Sequence, residues 1–209
     1  MARIPPLRRE DLPDLEPLFG IVESVMGFLP NSILTMGRRP ELAKAFLGLA
    51  GQVQAPGKVD PETKHLVAFV SSRAAGCRYC QAHTAHSADR AGAPPEKIDA
   101  AFEFETSDLF DEAERAALRL ARDASLASGA VTDAHFEALR RHHDEDAILE
   151  IVAVIALFGW LNRWNDTLGT TLEASPLGFA SSQLVGRGWE AGPHAGEPSA
   201  PAGKDGQRS

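Results

Sequence analysis

Gly76-Cys77-Arg78-Tyr79-Cys80-Gln81-Ala82-His83-Thr84-Ala85-His86 holds the only two cysteines of this 209-residue chain. They lie three positions apart, with a histidine three positions further on. Two thiols at this spacing can close a disulfide, and a nearby imidazole can take a proton from one of them. Upstream, Asp60-Pro61-Glu62 reads as a helix start, with Asp as N-cap and Pro at the first helical position. That helix runs through Leu66, Phe69 and Val70 to Gly76, which can take the left-handed conformation that ends a helix. A second helix then begins at the cysteines and runs to Gly92. Each residue turns by about 100°, so Cys77 and Cys80 share a face, and His83 shares a face with Cys80.

Outward from this pair the chain reads as helices separated by Gly and Pro. Leu12 to Phe28 is a first helical segment, delayed or bent by Pro13 and Pro17. Pro30 to Met36 is short. Pro40 to Gln54 carries Leu42, Phe46, Leu49 and Val53 at helical spacing. Downstream, Pro95 to Phe104 is another short helix. Asp111 with Glu114 opens a long one through Ser125 by the capping-box pattern. Thr132 caps a helix to His142, and Asp144 opens the last long helix, which reaches Leu168. Gly178 to Leu184 is a small terminal element. From Gly186 onward the chain is Gly, Pro, Ala, Ser and scattered charge, the composition of a disordered tail. The expected fold class is all-α: one domain over residues 1–185, then a tail over 186–209.

Hydrophobic residues make up 44% and charged residues 24%, which is ordinary for a globular chain. The formal net charge of −8 disfavours binding to nucleic acid or an anionic membrane. The N-terminal residues lack an apolar stretch of signal-peptide type. The longest apolar run, Ile151 to Leu161, is shorter than the ~18 residues of a membrane span and reads as a buried helix. With two cysteines and no signal, a cytoplasmic location and a reactive dithiol are expected.

Three influences lower a thiol pKa at this site. They are the helix N-terminus at Cys77, the cationic Arg78, and the proton-accepting His83. The expected chemistry is attack of one thiolate on a peroxide O–O bond, condensation of the resulting sulfenic acid with the second thiol, and regeneration by an external reductant. Two further readings of the residues are buried structural cysteines and a zinc site. Cys77 and His86 fall about 180° apart on one helix, which disfavours a tetrahedral metal site from this segment. Trp160, Asn162, Trp164 and Asn165, at the end of the last long helix, read as a packed amphipathic helix end, a pocket wall or an oligomer contact.

Gly-Cys-x-Tyr-Cys after a capped helix ending Ser72-Arg73-Ala74-Ala75-Gly76 resembles the carboxymuconolactone decarboxylase/alkylhydroperoxidase D-like superfamily. Asp111 to Leu118, the Gly129-Ala130-Val131-Thr132 turn, and Glu150-Ile151-Val152 leading to Leu161-Asn162-Arg163 look like its uncharacterised peroxidase-related branch. The likeness covers residues 12 to 185. It implies an all-helical fold, assembly into homo-oligomers (trimers or hexamers), and a dithiol site without metal or other cofactor. It also implies a histidine four residues after the second cysteine, where this chain has Thr84, with His83 one place earlier. A glutamate is implied twelve residues before the first cysteine, where this chain has His65, with Glu62 one turn earlier.

The expected catalytic residues are therefore Cys77, Cys80, His83 and His65, the two histidines moving protons. Cys80 is favoured as the attacking thiol because His83 lies one turn away on its face. The helix N-terminus argues for Cys77. The expected function is a thiol-dependent peroxidase, its partners a hydroperoxide or other small-molecule substrate and a thiol reductant. Alternatives are a non-peroxidase enzyme on the same scaffold, with His65 and His83 as acid and base, and a non-catalytic redox-sensing oligomer.

Overall fold

A computed structural model describes residues 2–126 and 129–196. Among these, ten α-helices and four single-turn 3-10 helices form the regular structure, with no strand. The α-helices are α1 (Glu16–Met26), α2 (Asn31–Met36), α3 (Pro40–Gln54), α4 (Pro61–Ala74), α5 (Arg78–Arg90), α6 (Pro95–Ala100), α7 (Glu112–Ser125), α8 (Asp133–Leu139), α9 (Glu145–Leu168) and α10 (Ala174–Gln183).

The caps read from the sequence form. Asp60 accepts from the Thr63 N–H at 2.8 Å, and Asp144 from the Ala147 N–H at 2.9 Å. Asp111 and Glu114 close a reciprocal capping box on α7. The first expected helix is delayed as Pro13 and Pro17 suggest: Pro13–Leu15 is a 3-10 turn, and α1 starts at Glu16.

Helix α4 is central. Leu66 to Ser72 are all buried, and α4 packs against α5, α7 and α9. Such all-round burial leaves little amphipathic signal and marks a core helix. Helix α9, 24 residues long, is apolar enough to cross a membrane by length and composition. Here it packs against α3, α4, α5 and α7, and Ile148, Ile151, Val154 and Leu157 are buried in the core. Lys64 ties α4 to α9. It is 3% exposed, and its ammonium donates to the Val53 and Ala55 carbonyls and pairs with Glu150 at 3.1 Å. Glu150 also accepts the N–H groups of Lys58 and Val59, so every charge in this buried link has partners.

Four expectations need correction. Helix α6 ends at Ala100, with turns continuing to Thr106, and α8 ends at Leu139. The terminal helix starts at Ala174 rather than Gly178. The tail expected from Gly186 is packed as far as Gly196; residues 197–209 lie outside the described residues. Over 185–196 two 3-10 turns bury Trp189 and His194. The indole N–H donates to the Arg78 carbonyl at 3.2 Å, and His194 hydrogen-bonds the Thr170 carbonyl at 2.7 Å. The composition is loop-like, but one buried indole and one buried imidazole anchor it.

Candidate functional site

The turn between α4 and α5 builds the thiol pair. Gly76 has φ +78°, in the left-handed region. The Cys77 N–H reaches back to the Ser72 carbonyl at 3.1 Å, and the Gly76 N–H to that of Arg73 at 3.0 Å. This closes α4 and at once places Cys77 as the N-cap of α5. Its sulfur stands where a serine or aspartate oxygen usually does, accepting the Cys80 N–H at 3.4 Å. Both thiols are free and buried.

The two sulfurs sit in opposite electrostatic settings. The Cys80 thiol and the backbone N–H groups of Cys80 and Tyr79 hold Cys77 below the ordinary thiol range, against its burial. Burial pushes Cys80 well up, and the Cys77 sulfur adds to this. The one pull in the other direction comes from Asn165 on α9, whose amide donates to the Cys80 sulfur at 3.5 Å. The stabilisation of a thiolate thus falls on Cys77, the side of the sequence argument that rested on the helix N-terminus.

One turn beyond Cys80, His83 faces a carboxylate from a distant loop. Its Nε2 lies 2.6 Å from Glu173 Oε2, between α9 and α10. The Tyr79 hydroxyl donates to Glu173 Oε1 at 2.9 Å, and the Asn31 N–H donates to the same oxygen. The rings of Tyr79 and His83 stack with centroids 4.2 Å apart. Burial works to raise the Glu173 pKa, but the His83 charge and these hydrogen bonds outweigh it and hold the carboxyl below its ordinary value. Burial keeps Tyr79 protonated as a donor.

The expected His65/His83 pair is not formed: the hydrogen-bond partner of His83 is Glu173. His65 on α4 has a buried Nδ1 with no partner among the described residues, and burial lowers its pKa to about 4. Glu62 pairs with Lys97 at 2.8 Å instead of joining the thiols. His86 meets Ser175 at 3.1 Å and packs by Phe28 and Phe179. No group of three or more His, Cys, Asp or Glu side chains suited to a metal occurs among the described residues.

The carboxymuconolactone decarboxylase family model matches residues 40–123, which span the thiol pair. An uncharacterised protein of Escherichia coli K12, YnjA, is 30% identical over 169 residues, or 79% of this chain and 91% of that protein. A crystal structure of the debrominase Bmp8 superposes with a TM-score of 0.80 at 46% identity, covering 85% of this chain and 96% of that one. The chain belongs to the carboxymuconolactone decarboxylase/alkylhydroperoxidase D-like superfamily. Within it, a cysteine-to-alanine form of Bmp8 in complex with 2,3,4-tribromopyrrole gives a TM-score of 0.82 at 44% identity, covering 87% and 97%. An alkylhydroperoxidase-core, peroxidase-related protein from Ralstonia eutropha JMP134 gives 0.75 at 27% identity, covering 84% and 94%.

Against the pattern the superfamily implies, the carboxylate beside the histidine comes here from Glu173 rather than from position 65. No local motif marks Glu173. Asn165 stands in the sequence as one of four residues closing the last long helix, with nothing local that pairs it with a cysteine. Its 1% exposure and its contact with Cys80 place it at the thiols.

Proposed function

We propose that this chain is a dithiol-dependent reductase of a small organic molecule. Cys77 is the attacking thiolate, Cys80 closes the disulfide, and the His83–Glu173–Tyr79 cluster handles the proton. The observation that carries this reading is the reduced Cys77/Cys80 pair, with thiolate-stabilising contacts gathered on Cys77 and an imidazole–carboxylate pair one turn away. The substrate reading favoured by similarity is a halogenated aromatic, because the likeness to the debrominase is much nearer than that to the peroxidase-related protein. Cys77 sulfur attacks the halogen, the carbon–halogen bond breaks, and the ring carbon keeps the electron pair and takes a proton. The Cys80 sulfur then displaces halide from the sulfenyl halide. One dithiol and one carbon–bromine bond become one disulfide, one carbon–hydrogen bond and hydrogen bromide.

The same dithiol supports hydroperoxide reduction as a second reading, favoured by the peroxidase-related relative. There the O–O bond breaks, an alcohol leaves, and the sulfenic acid on Cys77 condenses with Cys80 to release water.

The test mixes reduced protein with one equivalent of 2,3,4-tribromopyrrole or of an organic hydroperoxide, then counts thiols and product. Two thiols lost per bromide released supports the first reading. Two thiols lost per alcohol formed, at a rate well above that of free cysteine, supports the second. Background rates in both arms would sink the reductase. Cys77→Ser is expected to abolish the fast phase, whereas Cys80→Ser leaves one rapid thiol event without a disulfide.

A further inference from the structure

Helix α9 is apolar all round, yet only 44% of its most apolar stretch is buried inside the chain. The uncovered part is not scattered. Asp146, Leu149, Ala153, Ala156, Trp160 and Arg163 recur at alternating spacings of three and four, so they fall on one stripe of the helix. Ala153 is half-buried and the other five are exposed, Leu149 by 68%. This alternation is the pattern of a coiled-coil seam, the spacing that keeps one face of a helix turned toward a partner helix. The core side of α9 is a different set, Ile148, Ile151, Val154 and Leu157. The helix thus carries two apolar faces, and the fold of one chain uses one of them. Next to the free face, Phe46 of α3 stacks on Trp160 with ring centroids 4.8 Å apart, and Trp164 stacks on it at 5.0 Å. Leu42 and Leu49, one turn to either side of Phe46, are both exposed and widen the patch. A contiguous apolar surface of this kind marks an interaction site.

The stripe is its own complement. Its spacings read the same in both directions, so a second copy can lie antiparallel about a two-fold axis midway between Val154 and Ile155. That axis sets Ala153 against Ala156, Leu149 against Trp160 and Asp146 against Arg163, each pair occurring twice. Facing alanines let the two helix axes approach toward the short end of the usual ~8–10 Å. The charges match as well. Asp146 forms no ion pair among the described residues, because Lys58 and Arg140 are taken by its neighbours Asp144 and Glu145. The Arg163 guanidinium meets only the Gly159 carbonyl, at 3.5 Å. One unpaired charge of each sign therefore stands at either end of the stripe, in the register that a two-fold joins. We propose that this face is the seam of a homodimer, α9 against α9 antiparallel, with Leu42 and Leu49 at its flanks. A bilayer is a poorer occupant, since a net charge of −8 and an aspartate on the stripe itself disfavour an anionic lipid surface. The dimer stands apart from the thiol chemistry above and does not depend on it.

The test measures the mass of the full chain by sedimentation velocity over the micromolar range. The wild type is expected to sediment as a dimer or an even multiple of one. Ala156→Glu puts a carboxylate at the centre of the seam on an exposed helical position. It is expected to weaken self-association about a hundredfold, halving the sedimenting mass, while circular dichroism and the melting temperature show a folded chain. Asp146→Arg and Arg163→Asp each set like charges opposite one another twice, and each is expected to weaken association about tenfold. Both changes in one chain are expected to restore it. An equimolar mixture of the two single variants is expected to form the heterodimer, which a folding defect in either could not produce. A wild type monomeric throughout, an odd-numbered assembly, or a dimer indifferent to Ala156→Glu would overturn the proposal. Dissociation by Ala156→Glu with no response to the charge exchanges would overturn the antiparallel register. A monomer that floats with phosphatidylcholine vesicles, and loses that binding in Ala156→Glu, would assign the face to a bilayer and overturn the dimer.

Discussion

At Glu173 three partners, Asn31 from α2 and Tyr79 and His83 from α5, converge on one largely buried carboxylate. Burial alone would favour the neutral acid, but the His83 charge and the hydrogen bonds from His83 and Asn31 outweigh it and hold the carboxyl below its ordinary value. A carboxylate held this way orients the imidazole of His83. Glu173→Gln keeps the shape and removes the charge. It is expected to lower turnover about a hundredfold, within the range of general acid–base catalysis, with little change in KM. It also removes an acid-labile interaction. A depressed carboxylate stabilises the fold above its unfolded pKa and loses that contribution as pH falls through the lower folded value. The variant is therefore expected to show a flatter stability profile below pH ~4.5 in urea titrations. Cys77 and Cys80 were legible as a pair from spacing alone. Which of them carries the thiolate was decided by the N-cap geometry, since helical periodicity places His83 near Cys80 but says nothing of the N–H groups around Cys77.

Helices α4 and α5 show how local chemistry serves the site. Gly76 both ends one helix and aims the next. A Cβ at Gly76 would meet nothing within 4 Å, so Gly76→Ala costs only backbone strain. About 1–2 kcal/mol is expected in chemical denaturation, with a slowed Cys77 reaction as the N-cap is misplaced. On α4, His65 is held neutral by burial, with a pKa of about 4. The unfolded chain binds its proton at pH ~6.5 and the folded one does not. Its contribution is therefore intact above that value and is lost as pH falls from about 6.5 to 4. His65→Gln is expected to lose about 2 kcal/mol less than the wild type between pH 7.5 and pH 5, read by urea unfolding at each pH. The helix starts at Asp60, Asp111 and Asp144 were legible because a cap is written in three or four consecutive residues. The boundaries of α6, α8 and α10 were missed because packing trims helix ends that propensity would extend.

For the whole molecule, the segment 185–196 matters most. It covers the start of α5 through the indole of Trp189 and packs His194 by Tyr79, ring centroids 5.9 Å apart. Both cysteines are buried beneath neighbouring elements, so reagents reach them by local opening. Trp189→Ala deletes a large buried side chain and the hydrogen bond to Arg78. It is expected to cost about 3–5 kcal/mol of stability and to speed alkylation of Cys77. Unchanged alkylation in a destabilised variant would show that the segment supports the fold without covering the thiols.

What the sequence by itself determined is the part written at short range. The all-α class, the helix starts and the dithiol at a helix N-terminus follow from capping residues, periodicity and spacing, and the resemblance to the superfamily rests on Gly-Cys-x-Tyr-Cys and the segments downstream of it. Tertiary structure decided what short range cannot encode. It brought Glu173 to His83 across 90 residues and Asn165 to Cys80 across 85. It left His65 outside the His83 hydrogen-bond cluster, and folded a loop-like terminus onto the redox helix. The physical reason is the same in each case. A charge or hydrogen bond takes its partner from whatever packing sets within about 3 Å, and sequence separation places no limit on that choice.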